Sequence, residues 1–127
     1  MKDSLYIGHA VYEVLSGDTV IAGTLGTDIY PLVAEEGANF PFAVYGRYSL
    51  QSGVNKDGSD SISVGIGVYT TDYDEGLDIA SRIRTVLTSF RGTAGGFSID
   101  SIKLDEAIEK YEDGVFSQLM TFDIEID

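Results

Sequence analysis

Between residues 60 and 90 the hydrophobic period changes once, and that change limits what the chain can fold into. Ile62, Val64, Ile66 and Val68 alternate with Ser61, Ser63, Gly65, Gly67 and Tyr69, the period of two that marks a strand with one buried face. After Asp72 the spacing lengthens. Leu77, Ala80, Ile83, Val86/Leu87 and Phe90 recur in steps of three and four, which predicts a helix over 73–90. Asp72 is a suitable N-cap, with Glu75 three residues on. Asp72, Asp74, Glu75 and Asp78 crowd the positive end of the macrodipole, and Arg82, Arg84 and Arg91 lie toward the negative end. Asp78 and Arg82 are spaced as an i,i+4 pair. A strand and a helix that each offer one apolar side must cover something, and together they call for a helix-on-sheet layer.

The flanking segments extend that layer. Residues 4–16 read as a first helix capped by Ser4, with Leu5, Gly8, Val11/Tyr12 and Leu15 on one face. Gly17 stops it, and Asp18 caps a short turn through Ile21 to Leu25. Residues 28–33 read as a short strand, which Pro31 assigns to an edge or a strand end. Residues 41–52 and 60–70 read as a hairpin, with Phe42, Val44, Tyr48 and Leu50 sharing one parity. The polar connection 52–59 is expected to project into solvent. Residues 97–111 and 115–126 read as a second hairpin around Glu112-Asp113-Gly114, where Asp-Gly favours a type I′ turn. In its last strand Phe116, Met120, Phe122, Ile124 and Ile126 point inward, and Ser117, Thr121, Asp123, Glu125 and Asp127 point outward. The preceding strand changes phase between Ile99 and Ile102, which predicts a bulge. The Gly-rich run Arg91–Gly96 reads as a flexible connection. The expected fold is α+β: a single domain over 1–127, with a mostly antiparallel sheet of four to five strands. Two helices pack on one face, in the order α-β-β-β-α-β-β.

Charge then excludes partners. The 127 residues carry 21 acids and 8 bases, a formal net charge of −13. Such a chain, with no basic run, is a poor ligand for phosphate backbones or anionic membrane surfaces. No apolar stretch reaches the roughly 18 residues of a membrane span, and the N-terminus does not read as a signal peptide. With no Cys and one His, thiolate chemistry and multi-His metal sites are excluded.

The motifs have structural explanations. His9 has no Cys or second His to work with. Asp72-Tyr73-Asp74-Glu75-Gly76 opens like a calcium loop, but Gly76 takes a ligand position and Ile83 stands where the twelfth-position Glu belongs. Gly65-Ile66-Gly67 lies inside a strand and lacks the third Gly and following helix of a dinucleotide fingerprint. Arg91–Gly96 follows a helix instead of opening one and lacks a phosphate-binding Lys. No catalytic residue, cofactor or metal is expected.

Taken together, several stretches resemble one family. A helix is followed by Ile29-Tyr30-Pro31 and then Phe40-Pro41-Phe42-Ala43-Val44-Tyr45. Val68-Tyr69-Thr70 runs into Tyr73-Asp74-Glu75 and a helix with Ala80, Ile83 and Leu87, and an acidic hairpin closes the chain. This resembles the tail-completion, or tail-terminator, proteins of long-tailed bacteriophages and prophages. Two features depart from the pattern: Gly76, where a small helix former such as Ala is commoner, and the pair Gly65/Gly67, which loosens the central strand.

The resemblance implies a structural virion protein and not an enzyme. It implies assembly in the bacterial host cytoplasm into a homo-oligomeric ring, typically hexameric, at the head-tail junction. The ring would cap the tail tube and join it to the head connector, with DNA passing through and no specific nucleic-acid binding. Tyr45, Tyr69 and Tyr73, expected on the solvent side, are the interface candidates, since aromatics are enriched at interfaces. Asn55, Lys56 and Asp57 form a candidate docking loop. Asp123, Glu125 and Asp127 are a candidate acidic surface, whose like charge would let DNA slide past. Two alternatives stand beside this: a small-molecule-binding regulatory module with a crevice near Gly65 and Gly67, and a small carboxylate-dependent hydrolase.

Overall fold

A computed structural model describes residues 3–53 and 58–126. A 3₁₀ turn, Ser4–Tyr6, leads into α1 (Ile7–Ser16), and α2 (Thr19–Leu25) follows. Strands β1 (Ile29–Pro31), β2 (Phe42–Gln51) and β3 (Ser61–Thr70) precede α3 (Tyr73–Ser89). The chain closes with β4 (Gly92–Ala94), β5 (Phe97–Glu112) and β6 (Val115–Ile126). The six strands form one mixed sheet in the order β1-β2-β3-β6-β5-β4. Only β1 is parallel to its neighbour, pairing Ile29–Pro31 with Ala43–Tyr45.

The core is the apolar layer between the helices and one sheet face. Ile62, Val64, Ile66 and Val68 of β3 and Met120, Phe122 and Ile124 of β6 are buried there, under Val11 and Leu15 of α1 and Ile83 and Leu87 of α3. The α+β class is as the hydrophobic periods imply, with more strands than the four to five expected. The sixth is β4, where Thr93 between Gly92 and Ala94 pairs with Ser98. Three residues are too short to show a period. The segment read as a flexible connection is therefore a hairpin turning on Gly95-Gly96.

Three local phases differ from the sequence reading. Asp3, not Ser4, caps the first turn, accepting from Leu5 N–H at 2.9 Å. The tighter 3₁₀ turn rotates the helix that follows. Ile7, Ala10, Val11, Val14 and Leu15 become the buried stripe, while Leu5 and Tyr12 are exposed. In β2 the register shifts between Arg47 and Ser49. Before that bulge the core-facing residues are Ala43 and Tyr45, with Phe42 and Val44 on the opposite face; after it Leu50 returns to the core. One bulge thus let four residues of equal parity lie on two faces. In β5 the shift expected between Ile99 and Ile102 is present, between Ile99 and Ser101, and a second occurs between Leu104 and Glu106. The β5–β6 turn is the two-residue Asp113-Gly114, with φ 51° and 81°, as Asp-Gly predicts.

Arg82 does not pair with Asp78. Its Nη2 and Nε donate to both oxygens of Asp18, at 2.7 and 3.0 Å. Asp18 meanwhile caps α2 by accepting from Ile21 N–H at 3.0 Å. A bidentate pair from α3 to the cap of α2 ties the two helices at one point. The Arg82 guanidinium, and secondarily the Ile21 N–H, hold the Asp18 carboxyl below its ordinary range against the opposing effect of burial. At the N-terminal end of α3, Thr70 takes part in the cap. Its hydroxyl donates to Glu75 Oε1 at 2.7 Å and accepts from Asp72 N–H at 3.1 Å.

Two outcomes follow for stability. Asp18→Asn keeps a capping side chain of similar strength and removes the ion pair, so the variant is less stable at neutral pH. A depressed folded pKa contributes stability above the unfolded value, roughly 3.9 for Asp, that is lost as pH falls through the folded value. Urea titrations should therefore show the gap to wild type closing below about pH 4; a constant gap contradicts the pair. The second outcome concerns Gly95, whose φ is 57°. A Cβ there would lie 2.4 Å from Ala10 N and 2.7 Å from Ala10 Cα. Gly95→Ala combines left-handed strain with overpacking against backbone, and costs about 2–5 kcal/mol. An unchanged denaturation midpoint would show that this turn is not seated on α1.

Candidate functional site

The helices cover one face of the sheet and leave the other bare. Across β2, β3, β6 and β5 the bare face is built in rows. Phe42, Tyr69, Ser117 and Lys110 form one row, and Val44, Gly67, Leu119 and Ile108 form the next. Gly46, Gly65, Thr121 and Glu106 form a third. With glycine at three of these positions the surface sinks into a crevice of about 380 Å³, whose walls include Leu32, Val44, Tyr48, Tyr69, Ile108 and Leu119. Its charged lining is Arg47 and Glu106.

The glycines admit neighbouring side chains. A Cβ on Gly67 would lie 2.9 Å from Tyr69 Cε2 and 3.0 Å from Leu119 Cδ2, and one on Gly46 would lie 2.7 Å from Leu32 Cδ2. Tyr69 and Leu119 lean across the space that Gly67 leaves and Leu32 across that of Gly46, so these two glycines belong to a packed surface, whereas a Cβ on Gly65 would meet only Met120 O at 4.0 Å. Beside them runs an aromatic ladder. Phe40 stacks on Phe42 at 5.3 Å and Phe42 on Tyr69 at 5.2 Å, with Tyr30 edge-on to Phe42 at 6.2 Å, geometries that aromatic pairs favour. The Tyr30 hydroxyl donates to Asp28 Oδ1 at 2.7 Å. That bond, with the carboxylate charge nearby, pushes its pKa up to about 12.

The three candidate tyrosines do not share a patch. Tyr69 is on the bare face. Tyr45, expected on the solvent side, is on the helix side. It is half-buried 5.9 Å from Tyr12 and in contact with Gly8 across α1, and burial pushes its pKa up. Tyr73 sits at the start of α3 and donates to Glu109 Oε2 at 2.9 Å. Gln118 Nε2 donates to the same oxygen at 3.0 Å. The Gln118 bond first, and the Tyr73 bond second, hold the Glu109 carboxyl below its ordinary range. The Tyr73 ring also packs 5.5 Å from Phe116, which packs 4.7 Å from Tyr111. This cluster fastens α3 to the β5–β6 hairpin.

Of the acidic candidates, Asp123 and Glu125 are exposed on the bare face. Asp123 accepts from the Ser63 hydroxyl at 2.7 Å and lies opposite Lys103. Asp127 and the docking-loop residues Asn55, Lys56 and Asp57 lie outside the described residues. The acids of the Asp72–Asp78 segment border a second cleft, of about 420 Å³, between α2 and α3. Among the described residues no three or more His, Cys, Asp or Glu are grouped to hold a metal ion. Also among them, no helix is long and apolar enough to cross a membrane.

The sequence reading did not single out Leu32, Phe40, Ile108 and Leu119 as site residues. Leu119 carries a legible signal: it is the apolar member of the otherwise polar parity Ser117, Thr121, Asp123. Leu32 carries none, because its exposure depends on a positive φ of 63° in a loop.

The arrangement offers a creviced, largely apolar surface. Comparison with curated protein sequences gives no match. The fold is similar to that of a chain in the solved structure titled "Virion of native gene transfer agent (GTA) particle", with a TM-score of 0.80 over 98% of each chain and 17% identity. Residues 9–127 match the family described as tail completion protein gp17. That match runs from the first turns of α1 through the last strand, and the chain belongs to the tail completion protein gp17 family.

Proposed function

We propose that this structural tail protein closes the head-proximal end of a phage tail tube as a homo-oligomeric ring, and joins that end to the head connector. The family match over residues 9–127 carries the reading. Two physical features support it. The bare sheet face presents an apolar crevice with only Arg47 and Glu106 as its charged lining, a surface suited to another protein more than to a polar small ligand. The exposed acids Asp123 and Glu125 on that face suit a passage that repels the DNA it conducts. The role needs binding alone, and none of the side chains named here is assigned chemistry.

The decisive experiment removes the gene from a phage or prophage that carries it. Electron microscopy should then show filled heads and tails that remain separate, and normal joined particles would overturn the proposal. Complementation with Leu119→Lys tests the bare face. Leu119 is half-buried on the surface, so the variant should fold with an unchanged circular-dichroism spectrum yet restore at most about a tenth of the joined particles. That loss corresponds to roughly 1.4 kcal/mol or more of docking free energy. Full rescue would show that the crevice is not used.

A further inference from the structure

The sheet is unfinished at both margins. β5 runs for 16 residues, and β4 covers its outer side only from Phe97 to Ile99. Among the described residues no strand lies along the outer side of Ser101–Glu112. At the opposite margin β1 covers Ala43–Tyr45 of β2, and the Leu32 N–H adds one bond to Tyr45 O. Gly46–Gln51 continues with no strand outside it. At roughly 3.4 Å per residue these open edges are about 40 and 20 Å long. Exposed strand edges of that length are templates for another strand. The two edges are different surfaces, so joining one to the other between copies is a heterologous contact, the kind that closes into rings.

The side chains flanking the two edges are complementary. Next to the open part of β2 is a cleft of about 340 Å³ bordered by Leu5, Tyr6, Pro31, Leu32 and Arg47. Leu5, Tyr6 and Leu32 are 55%, 52% and 77% exposed. On β5, Ile108 and Tyr111 are 45% and 64% exposed. Their faces also correspond. Ile108 and Leu32 both lie toward the bare side, while Tyr111 and Glu109 lie on the side where Arg47 donates to Leu5 O at 3.0 Å. Charge agrees: β5 carries five acids against Lys103 and Lys110, and β2 carries Arg47 alone. The two lysines blunt indiscriminate pairing at a long edge.

Resting on the ring reading above, we propose that Ala107–Glu112 of β5 in one copy adds as a strand to Gly46–Gln51 of β2 in the next. With the helices on one side the two strands run antiparallel, so Glu112 and Tyr111 come to Gly46 and Arg47, Tyr111 meets Leu5 and Tyr6, and Ile108 falls beside Gln51. The helices of successive copies fall on the same side of a continuous sheet.

Two surface variants test this, because each spoils one edge and leaves the other intact. Leu32→Asp damages the β2 side, and Ile108→Asp damages the β5 side. Circular dichroism and thermal melting verify that both remain folded. By sedimentation, wild type should assemble beyond a dimer and each variant alone should remain monomeric. An equimolar mixture should form a heterodimer and stop there, since the remaining ends each carry an Asp. Variants that assemble like wild type, or a mixture that stays monomeric while wild type assembles, overturn the edge pairing.

If free wild type is monomeric, a short bismaleimide is applied at millimolar concentration to mixed Ser49→Cys and Lys110→Cys chains, which carry no other thiol. Links between the two variants should exceed those from exposed Ser81→Cys by about tenfold. Parity with that control, or efficient capture only of a tail-tube protein, overturns the proposal. Rings that survive both Asp substitutions sink the edge pairing and leave the ring reading intact. Joined particles in the gene deletion sink the functional reading, whatever the edges do.

Discussion

Ile62, Val64, Ile66 and Val68 on β3 and Met120, Phe122 and Ile124 on β6 make one apolar layer, and the other elements take their positions from it. The two strands pair over nine consecutive positions, from Ile62–Ile124 to Thr70–Phe116, though they are separated in sequence by a helix and two further strands. That long-range pairing is what makes α3 cross back over the sheet. It also places β6 at the centre of the sheet, with β5 outside it and open along most of its length. Burial of apolar area under the helices drives it. A polar side chain at Val64 or Phe122 would deprive both layers at once of their contact surface.

Much of this was legible in the chain because the two periods are strong where the core is thickest. The alternation in residues 61–70 and 115–126, the step of three and four in α3, and the Asp-Gly turn all depend on local chemistry, and all are found. What escaped depends on contacts between distant residues. Nothing near Arg82 says that its partner is Asp18, 64 positions away, and not Asp78. Nothing in Arg91–Gly96 announces that Gly95 must be glycine because the backbone of Ala10 sits against it. The β2 bulge hid the face of Phe42 and Val44, since an extra residue reverses parity without changing composition. By parity alone Tyr45 points to solvent, and in the fold it packs on the helix side. The bare face was the least legible part. Its crevice is assembled from single residues on four strands, and only the pairing registers bring Gly46, Gly67, Leu119 and Ile108 together.

The acidity of the chain separates into parts with different physical reasons. Asp3, Asp18 and Asp72 cap helical turns, and Glu75 accepts from the Thr70 hydroxyl of the α3 entry. Glu109 receives a tyrosine and a glutamine and ties a helix to a hairpin. Glu106, Asp123 and Glu125 are left facing solvent on the bare side. Among the described residues most of the acids behind the net charge of −13 are exposed, the capping Asp3 and Asp72 included.

All three α-helices lie on one side of a single sheet, and any cyclic repetition of such a subunit inherits a consequence from that. A head-to-tail ring has no two-fold axis across its wall, so the helix-bearing and bare surfaces cannot average out. Each wall keeps its own chemistry all the way around. One would be studded with helix termini and polar side chains; the other would be creviced, aromatic and carboxylated. Such an annulus has a built-in inside and outside, and sidedness of that kind comes from the layering of one copy, with no added segment to declare it.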